Sequence, residues 1–192
     1  MNKNILGLAV VAALTTGTAN AATIDTFDDA AMSVAADGTA TVAALVAGGF
    51  RTVDMVKTGP LGATASVLTP PGIYSHSADA LTSAISTITW DANGAGLGGL
   101  DWVEGLINNT FDIDILSTDL AGAITLTLLA TDTFGGSDSV TTPSTGAGIL
   151  NIAFSSFSGV DFTSMDFLSL QVNGITAADI TLDSLVPYPL NN

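Results

Sequence analysis

Apolar and polar residues alternate along much of this chain. The segment 111–115, Phe-Asp-Ile-Asp-Ile, places three large apolar side chains on one face and two carboxylates on the other. The segment 124–128, Ile-Thr-Leu-Thr-Leu, repeats the pattern with threonines on the polar face. A period of two over a short run predicts a half-buried strand, and threonine and isoleucine suit the pleated surface.

Glycine- and proline-rich turn signals separate these runs, at 59–60, 70–72, 94–99 and 135–136 among other places. About ten strands at a spacing of roughly 8–15 residues predict an all-β sandwich or barrel. The simplest partition is a single domain over residues 22–187, followed by a short tail, 188–192. We expect the end of the chain not to extend a central strand, because Pro187 and Pro189 lack backbone donors.

The first residues have the pattern of an export signal. Lys3 precedes an apolar run over residues 5–14, and Ala19-Asn20-Ala21 fits a small-residue cleavage site. The run is too short for a membrane-spanning helix, which needs about 20 apolar residues. The sequence therefore predicts a signal peptide over residues 1–21, with a short membrane anchor as the alternative, and no integral membrane segment after cleavage.

Composition restricts the class of partner. Eighteen acidic residues face three basic ones, so the formal net charge is -15, and the chain has no cysteine. Binding to nucleic acid is excluded, because phosphate contacts need lysine and arginine. Disulfides and thiolate metal sites are also excluded. The 47% of hydrophobic residues are enough for a packed core.

The order of several short motifs resembles a known family. The motifs are the opening segment 24–29, the glycine-rich stretch from Trp90 to Trp102, and the closing segment 182–185. Together they resemble the secreted β-sandwich ectodomains of Gram-negative PEP-CTERM-type, exopolysaccharide-associated proteins. More distantly, the chain is similar to galactose-binding-like jelly rolls. The resemblance implies a two-sheet antiparallel jelly-roll-like β-sandwich in a protein secreted to the extracellular space or cell surface of a Gram-negative bacterium.

The chain departs from that family at its C-terminus. Residues 186–189 read Val-Pro-Tyr-Pro, with tyrosine where the sorting signal has glutamate. No apolar helix and no arginine cluster follow in this sequence. The resemblance therefore implies a member that lacks the sorting tail.

Calcium is the cofactor that the resemblance suggests. Adjacent first and last strands of a jelly roll would bring together Asp25, Asp28 and Asp29 from the start with Asp183 from the end. Calcium takes six to eight oxygen ligands, in which this chain is rich. The alternative is that these carboxylates are solvated residues at strand ends that serve solubility.

Glycan binding would need exposed aromatic faces. Trp102, in a glycine-rich stretch, and Tyr74, after a Pro-Pro-Gly turn, are the candidate ligand-binding residues. Trp90 ends an apolar strand and is expected in the core. Arg51 is one of three cations, and we expect it to form a structural ion pair with an aspartate.

Catalytic signatures are weak. His76 is the sole histidine and is expected in a surface loop, and no nucleophile-elbow motif is present. Glu104 beside Trp102 could serve a glycosidase, but a solvated loop acid is the simpler interpretation. The sequence thus predicts a protein that is not an enzyme.

The main functional hypothesis is therefore an exported matrix or cell-surface structural protein, calcium-stabilised and assembling with itself. Segment 22–27 would be available after cleavage as a donor strand for another copy. The alternative is a soluble carbohydrate-binding module that recognises an exopolysaccharide.

Overall fold

The computed structural model describes residues 23–105, 107–120 and 122–189. The expected signal peptide, 1–21, and the last three residues of the expected tail lie outside this part. The described chain forms two six-stranded antiparallel sheets, which confirms the all-β sandwich. The strands are β1 (Met32–Ala35), β2 (Gly38–Ala43), β3 (Phe50–Thr58), β4 (Ala63–Leu68), β5 (Ile73–Ala78), β6 (Ser83–Trp90), β7 (Thr110–Thr118), β8 (Ile124–Asp132), β9 (Ser137–Pro143), β10 (Gly148–Ala153), β11 (Met165–Gly174) and β12 (Ile180–Tyr188).

The chain passes repeatedly between the two sheets, in a jelly-roll-like order. The first sheet has the order β1-β4-β5-β12-β7-β10, and the second has the order β2-β3-β6-β11-β8-β9. We call them sheet A and sheet B. Two short 3-10 turns, Ala47–Gly49 and Phe154–Ser156, are the helical elements of the described residues. None of these helices is long and apolar enough to cross a membrane.

The core lies between the sheets and is built by the predicted alternation. On β7, Phe111, Ile113 and Ile115 are buried, and on β8 the residues Leu126 and Leu128 are buried. Their polar neighbours on the same strands face outward. Burial of these side chains stabilises the fold by about 1.5–3 kcal/mol each.

The end of the chain differs from its prediction. Strand β12 continues to Tyr188, and Pro187 lies opposite Phe111 of β7. Asn109 donates to the Tyr188 carbonyl on the β7 side, and Leu185 exchanges both backbone bonds with Asp25 on the other side. Because alternate residues bond to opposite sides, the nitrogen of Pro187 points away from β7, where the bridge to Asp25 has ended. The missing donor therefore breaks no ladder bond, and the expectation that Pro187 ends the strand was wrong.

Candidate functional site

Asp25 and Arg51 form a buried ion pair between the N-terminal segment and sheet B. Arg51 Nε lies 2.6 Å from Asp25 Oδ2, and Nη2 lies 2.5 Å from Oδ1. Asp25 also accepts bonds from the backbone of Phe27 and from Trp90 Nε1. The predicted structural role of Arg51 and the core position of Trp90 are confirmed. The carboxylate of Asp25 is thereby occupied by protein donors.

The other three predicted calcium ligands lie outside this pair. Asp29 accepts a bond from the backbone nitrogen of Leu45 at 2.6 Å, and its Oδ1 is 3.7 Å from Arg51 Nη2. Asp183 is the extra residue of a bulge in β12, where the register with β7 shifts. Partial burial raises the pKa of Asp183, and the charges of Asp114 and Asp28 raise it further. The structure thus brings Asp28 and Asp183 into electrostatic contact and keeps Asp25 apart.

No group of three or more histidine, cysteine or acidic side chains that could hold a metal ion occurs in residues 23–105, 107–120 and 122–189. The four aspartates predicted from the resemblance therefore do not converge on one point. Calcium binding by Asp28 and Asp183 stays a prediction.

The two aromatic candidates are buried rather than exposed. Trp102 and Tyr74 both have 0% of their surface accessible. Trp102 packs edge-on against Phe111, and Tyr74 stacks at a tilt on Phe27. The glycine-rich stretch folds back on the body, since Trp102 donates its backbone N–H to the carbonyl of Phe162. The exposure that glycan stacking on these rings requires is absent.

His76 is also in the core, which corrects its assignment to a surface loop. It lies on β5, where the alternation turns Tyr74, His76 and Ala78 inward. Its Nδ1 is 2.7 Å from the hydroxyl of Ser86, which also accepts a bond from Tyr74. Burial lowers the pKa of His76 to about 4, although the nearby charge of Asp179 opposes the shift. This cluster has no access to a substrate, because all three side chains are fully buried.

Glu104, the acid considered for a glycosidase, lies in a hydrogen-bonded turn. Asp101 Oδ1 accepts the backbone N–H groups of Val103 and Glu104, which fixes the turn after Trp102. With Trp102 buried, the tryptophan-lined cleft that this hypothesis needed is absent here.

The outer face of sheet B carries two rows of side chains across the six strands, and eleven of the twelve are polar. The strand registers place one side chain per strand in each row. We call these the hydroxyl rows: Thr41, Thr52, Thr89, Ser169, Leu129 and Ser139 in one, and Thr39, Asp54, Thr87, Gln171, Thr127 and Thr141 in the other. Asp54 is the one ionisable side chain in these two rows, all twelve positions of which are described. In a chain of net charge -15, this face is almost neutral.

Several groups in these rows already pair with each other. Thr41 and Thr52 hydroxyls lie 2.9 Å apart, and Thr127 and Thr141 hydroxyls lie 2.8 Å apart. In the middle of the face, the side chains of Thr87, Thr89 and Gln171 make no hydrogen bond within the described chain. The centre of the face therefore offers hydroxyl and amide groups to a ligand.

A shallow depression of about 90 Å³ lies beside the hydroxyl rows, at the neighbouring positions of β3, β6 and β11. Val56 and Ile85 form its apolar part, and they lie opposite each other on β3 and β6. Asn173 of β11 lies opposite Ile85 and has no side-chain hydrogen bond among the described residues. Gly174 also lines the depression. Apolar surface beside an unbonded amide is a common combination in small-molecule sites.

The sequence did not lead to these polar residues, because glycan binding was expected at exposed aromatic rings. The signal for Gln171 was present, since segment 167–172 reads as an alternating strand and places Gln171 on its polar face. What brings Gln171 beside Thr87 is the pairing of β11 with β6, which local sequence does not specify.

Comparison with known proteins concerns the fold. No protein-family model and no curated protein sequence matches this chain. A family 11 carbohydrate-binding module of the cellulosomal cellulase Lic26A-Cel5E of Clostridium thermocellum is 16% identical, with a TM-score of 0.41. The match covers 88% of this chain and 94% of that one. TmCBM61, solved with β-1,4-galactotriose, is 14% identical over 79% of this chain and 88% of that one, with a TM-score of 0.38.

An exo-β-agarase gives a TM-score of 0.46 at 9% identity, over 88% of this chain and 25% of that one. At such identities and scores, the likeness carries no conclusion about a ligand of this chain.

Proposed function

We propose that this protein is a secreted, non-catalytic carbohydrate-binding protein that holds a neutral glycan on the outer face of sheet B. The observation that carries the proposal is a group of three polar side chains beside the apolar pair Val56 and Ile85. These side chains make no hydrogen bond with any described residue, and they belong to Gln171, Asn173 and Thr87. A sugar ring presents both an apolar C–H face and hydroxyl groups that donate and accept. Amide and hydroxyl side chains also donate and accept, so they match a sugar hydroxyl in either role.

Charge supports a neutral glycan over an acidic one. The hydroxyl rows contain Asp54 and no cation, and the whole chain has a net charge of -15. An anionic polysaccharide would meet repulsion that no nearby lysine or arginine of this face offsets. A neutral polysaccharide meets no such repulsion.

The binding is expected to be modest. The face has little aromatic surface, so each contact contributes the net value of an ordinary hydrogen bond, about 0.5–1.5 kcal/mol. Several such contacts along a chain are needed for measurable affinity. Polymers should therefore bind better than single sugars.

The extracellular matrix role inferred from the resemblance stays a prediction.

The test is affinity electrophoresis through gels containing mixed-linked β-glucan, β-1,4-galactan or alginate. We expect a neutral polymer to retard the protein and alginate to have no effect. The double variant Gln171→Ala/Asn173→Ala should lose about tenfold in affinity, because two hydrogen-bonding groups are removed. Asn151→Ala, which removes an exposed amide from sheet A, is the matched control. Absence of retardation by every neutral polymer, or equal effects of the two variants, would overturn the proposal.

A further inference from the structure

One end of the sandwich exposes a group of large apolar side chains. Leu61, Leu81, Leu120 and Ile175 have exposed fractions of 45%, 72%, 43% and 57%. They lie in the connections β3–β4, β5–β6, β7–β8 and β11–β12, which all emerge at the same end of the sheets. We call these four residues the apolar end. Scattered exposed leucines are ordinary on a protein surface, whereas a group of them marks an interaction site.

Backbone hydrogen bonds join the four connections into one surface. The N–H of Leu61 donates to Thr82 Oγ1, and the N–H of Ala177 donates to the Thr82 carbonyl, both at 3.0 Å. The N–H of Ile175 donates to the carbonyl of Ala123 at 3.1 Å. The apolar end is therefore a continuous part of the fold and not four independent loop tips.

Leu81 is held in a backbone conformation that leucine rarely adopts. Its φ is 64°, in the left-handed region, and its side chain is the most exposed of the four. Glycine or asparagine would suit this position better for folding alone. Strained backbone of this kind concentrates at sites whose side chain has a function. An exposed leucine here has no evident benefit to the isolated chain.

The same end carries charges of both signs, one lysine and three aspartates. Lys57 donates to the Leu61 carbonyl at 2.7 Å and forms no ion pair with any described residue. Asp79, Asp119 and Asp179 are exposed carboxylates on the connections that carry the apolar residues. In a two-fold pairing, each residue i that meets a residue j is matched by a second contact from j to i. Two copies can thus set each Lys57 against the carboxylates of the other around an apolar centre.

We infer that the apolar end is the interface of a homodimer formed by two copies of this chain. The leucines and Ile175 form its centre, and Lys57 with the surrounding aspartates forms its rim. This arrangement agrees with the usual anatomy of an interface, apolar within and polar at the edge. The inference does not depend on glycan binding, since none of the four apolar residues belongs to the hydroxyl rows or the depression.

The test is sedimentation velocity of the purified protein over a range of concentrations. We expect a reversible dimer, and Leu81→Gly should raise its dissociation constant about a hundredfold, because a two-fold interface loses the side chain twice. The same variant should raise the melting temperature of the monomer, because glycine relieves the strain at φ 64°. Phe134→Ser removes an equally exposed apolar side chain at the opposite end and is the matched control.

A monomer at all concentrations would overturn the inference, as would a dimer that Leu81→Gly leaves unchanged or that Phe134→Ser weakens to the same extent. If Leu81→Gly does not fold, Ile175→Ser takes its place with the same expected loss of dimer. A change in glycan affinity has no bearing on this result, so the two proposals fail separately.

Discussion

Asp25 and Arg51 hold each other through two charge-assisted hydrogen bonds, and neither side chain has any accessible surface. The pair fixes the N-terminal segment to sheet B, since Arg51 Nη1 also donates to the carbonyls of Asp29 and Ala30. Ile24 and Phe27 are buried on either side of Asp25. In the described residues 23–27, the segment is therefore part of its own domain, contrary to the expectation that it is available as a donor strand for another copy.

Removal of one partner of this pair should be strongly destabilising. Arg51→Met leaves the Asp25 carboxylate buried without its cation, which costs about 3–5 kcal/mol in comparable cases. We expect a fall in melting temperature of about 10 °C, measured by differential scanning calorimetry. Lys57→Met, compared at a concentration where both proteins are monomeric, is the control, because it removes a cation that makes no ion pair in the described chain. A similar, small effect of both variants would show that the pair contributes little.

Periodicity predicted the strands well and the ends of the sandwich poorly. The alternation at 111–115 places Phe111, Ile113 and Ile115 in the core as expected, because the period of two follows directly from strand geometry. Trp102 was misplaced because glycine-rich sequence is typical of exposed loops. Here the loop is tied down by Asn108, which donates to the Trp102 carbonyl, and by Phe162. Such contacts between distant segments leave no local signal.

The candidate site illustrates the same limit. The polar faces of β6 and β11 can be read from the sequence one strand at a time. Their order in the sheet, with β3 and β11 on either side of β6, depends on pairing between distant segments. The group of Val56, Ile85 and Asn173 exists only once that order is known.

Acidification should destabilise the fold through His76. Its folded-state pKa of about 4 lies below the ordinary value of 6.5, because the buried ring resists protonation. The unfolded chain takes up a proton as the pH falls below 6.5, and the folded chain does not until about pH 4. Stability from this group is thus complete above pH 6.5 and falls between pH 6.5 and 4, by about 3 kcal/mol in total.

Urea unfolding of wild type and His76→Gln at pH 7, 5.5 and 4 measures this contribution. We expect the difference in unfolding free energy between the two proteins to shrink as the pH falls. Asp132 and Asp138, whose pKa values are lowered by backbone hydrogen bonds, also make the stability depend on pH in acid. Both proteins contain these acids, so their contribution cancels in the difference between wild type and His76→Gln. If that difference does not depend on pH, the role of His76 is contradicted.

Replacement of Asp183 by its neutral isostere asparagine should stabilise the fold. Partial burial and the charges of Asp114 and Asp28 raise its pKa, so its ionised form is disfavoured in the fold at neutral pH. Stability from this group therefore rises as the pH falls through the raised pKa, and the contribution is complete below the ordinary value of 3.8. Asp183→Asn at pH 7, with a chelator present, should raise the melting temperature by about 2 °C.

The charge control is Asp91→Asn, which removes one negative charge at a half-buried position whose side chain makes no hydrogen bond or ion pair with any described residue. An equal rise in both variants would mean that the effect comes from net charge alone. Calcium is tested with the same protein. If calcium raises the melting temperature of the wild type and not that of Asp28→Asn/Asp183→Asn, the predicted calcium site is supported. If the rise persists in this double variant, the prediction is wrong.

Trp102 should matter for stability and not for glycan binding. Its side chain is fully buried against Phe111, and its Nε1 has no hydrogen-bond partner among the described residues. Trp102→Phe keeps an aromatic ring in this position and removes the unpaired N–H, but it leaves a cavity where the larger ring was. Because these two effects oppose each other, we expect a net loss of about 1 kcal/mol in unfolding free energy.

Affinity for a neutral polymer should be unchanged in Trp102→Phe under conditions where the protein is fully folded. The reason is distance in the fold: Trp102 lies in the connection from β6 to β7, at the end of the sandwich opposite the depression, whereas Gln171 and Asn173 lie on the outer face of sheet B. Affinity electrophoresis of Trp102→Phe beside Gln171→Ala/Asn173→Ala separates the two roles. A loss of affinity in Trp102→Phe comparable to that of the double variant would place the glycan site near Trp102 and contradict its placement on the outer face of sheet B.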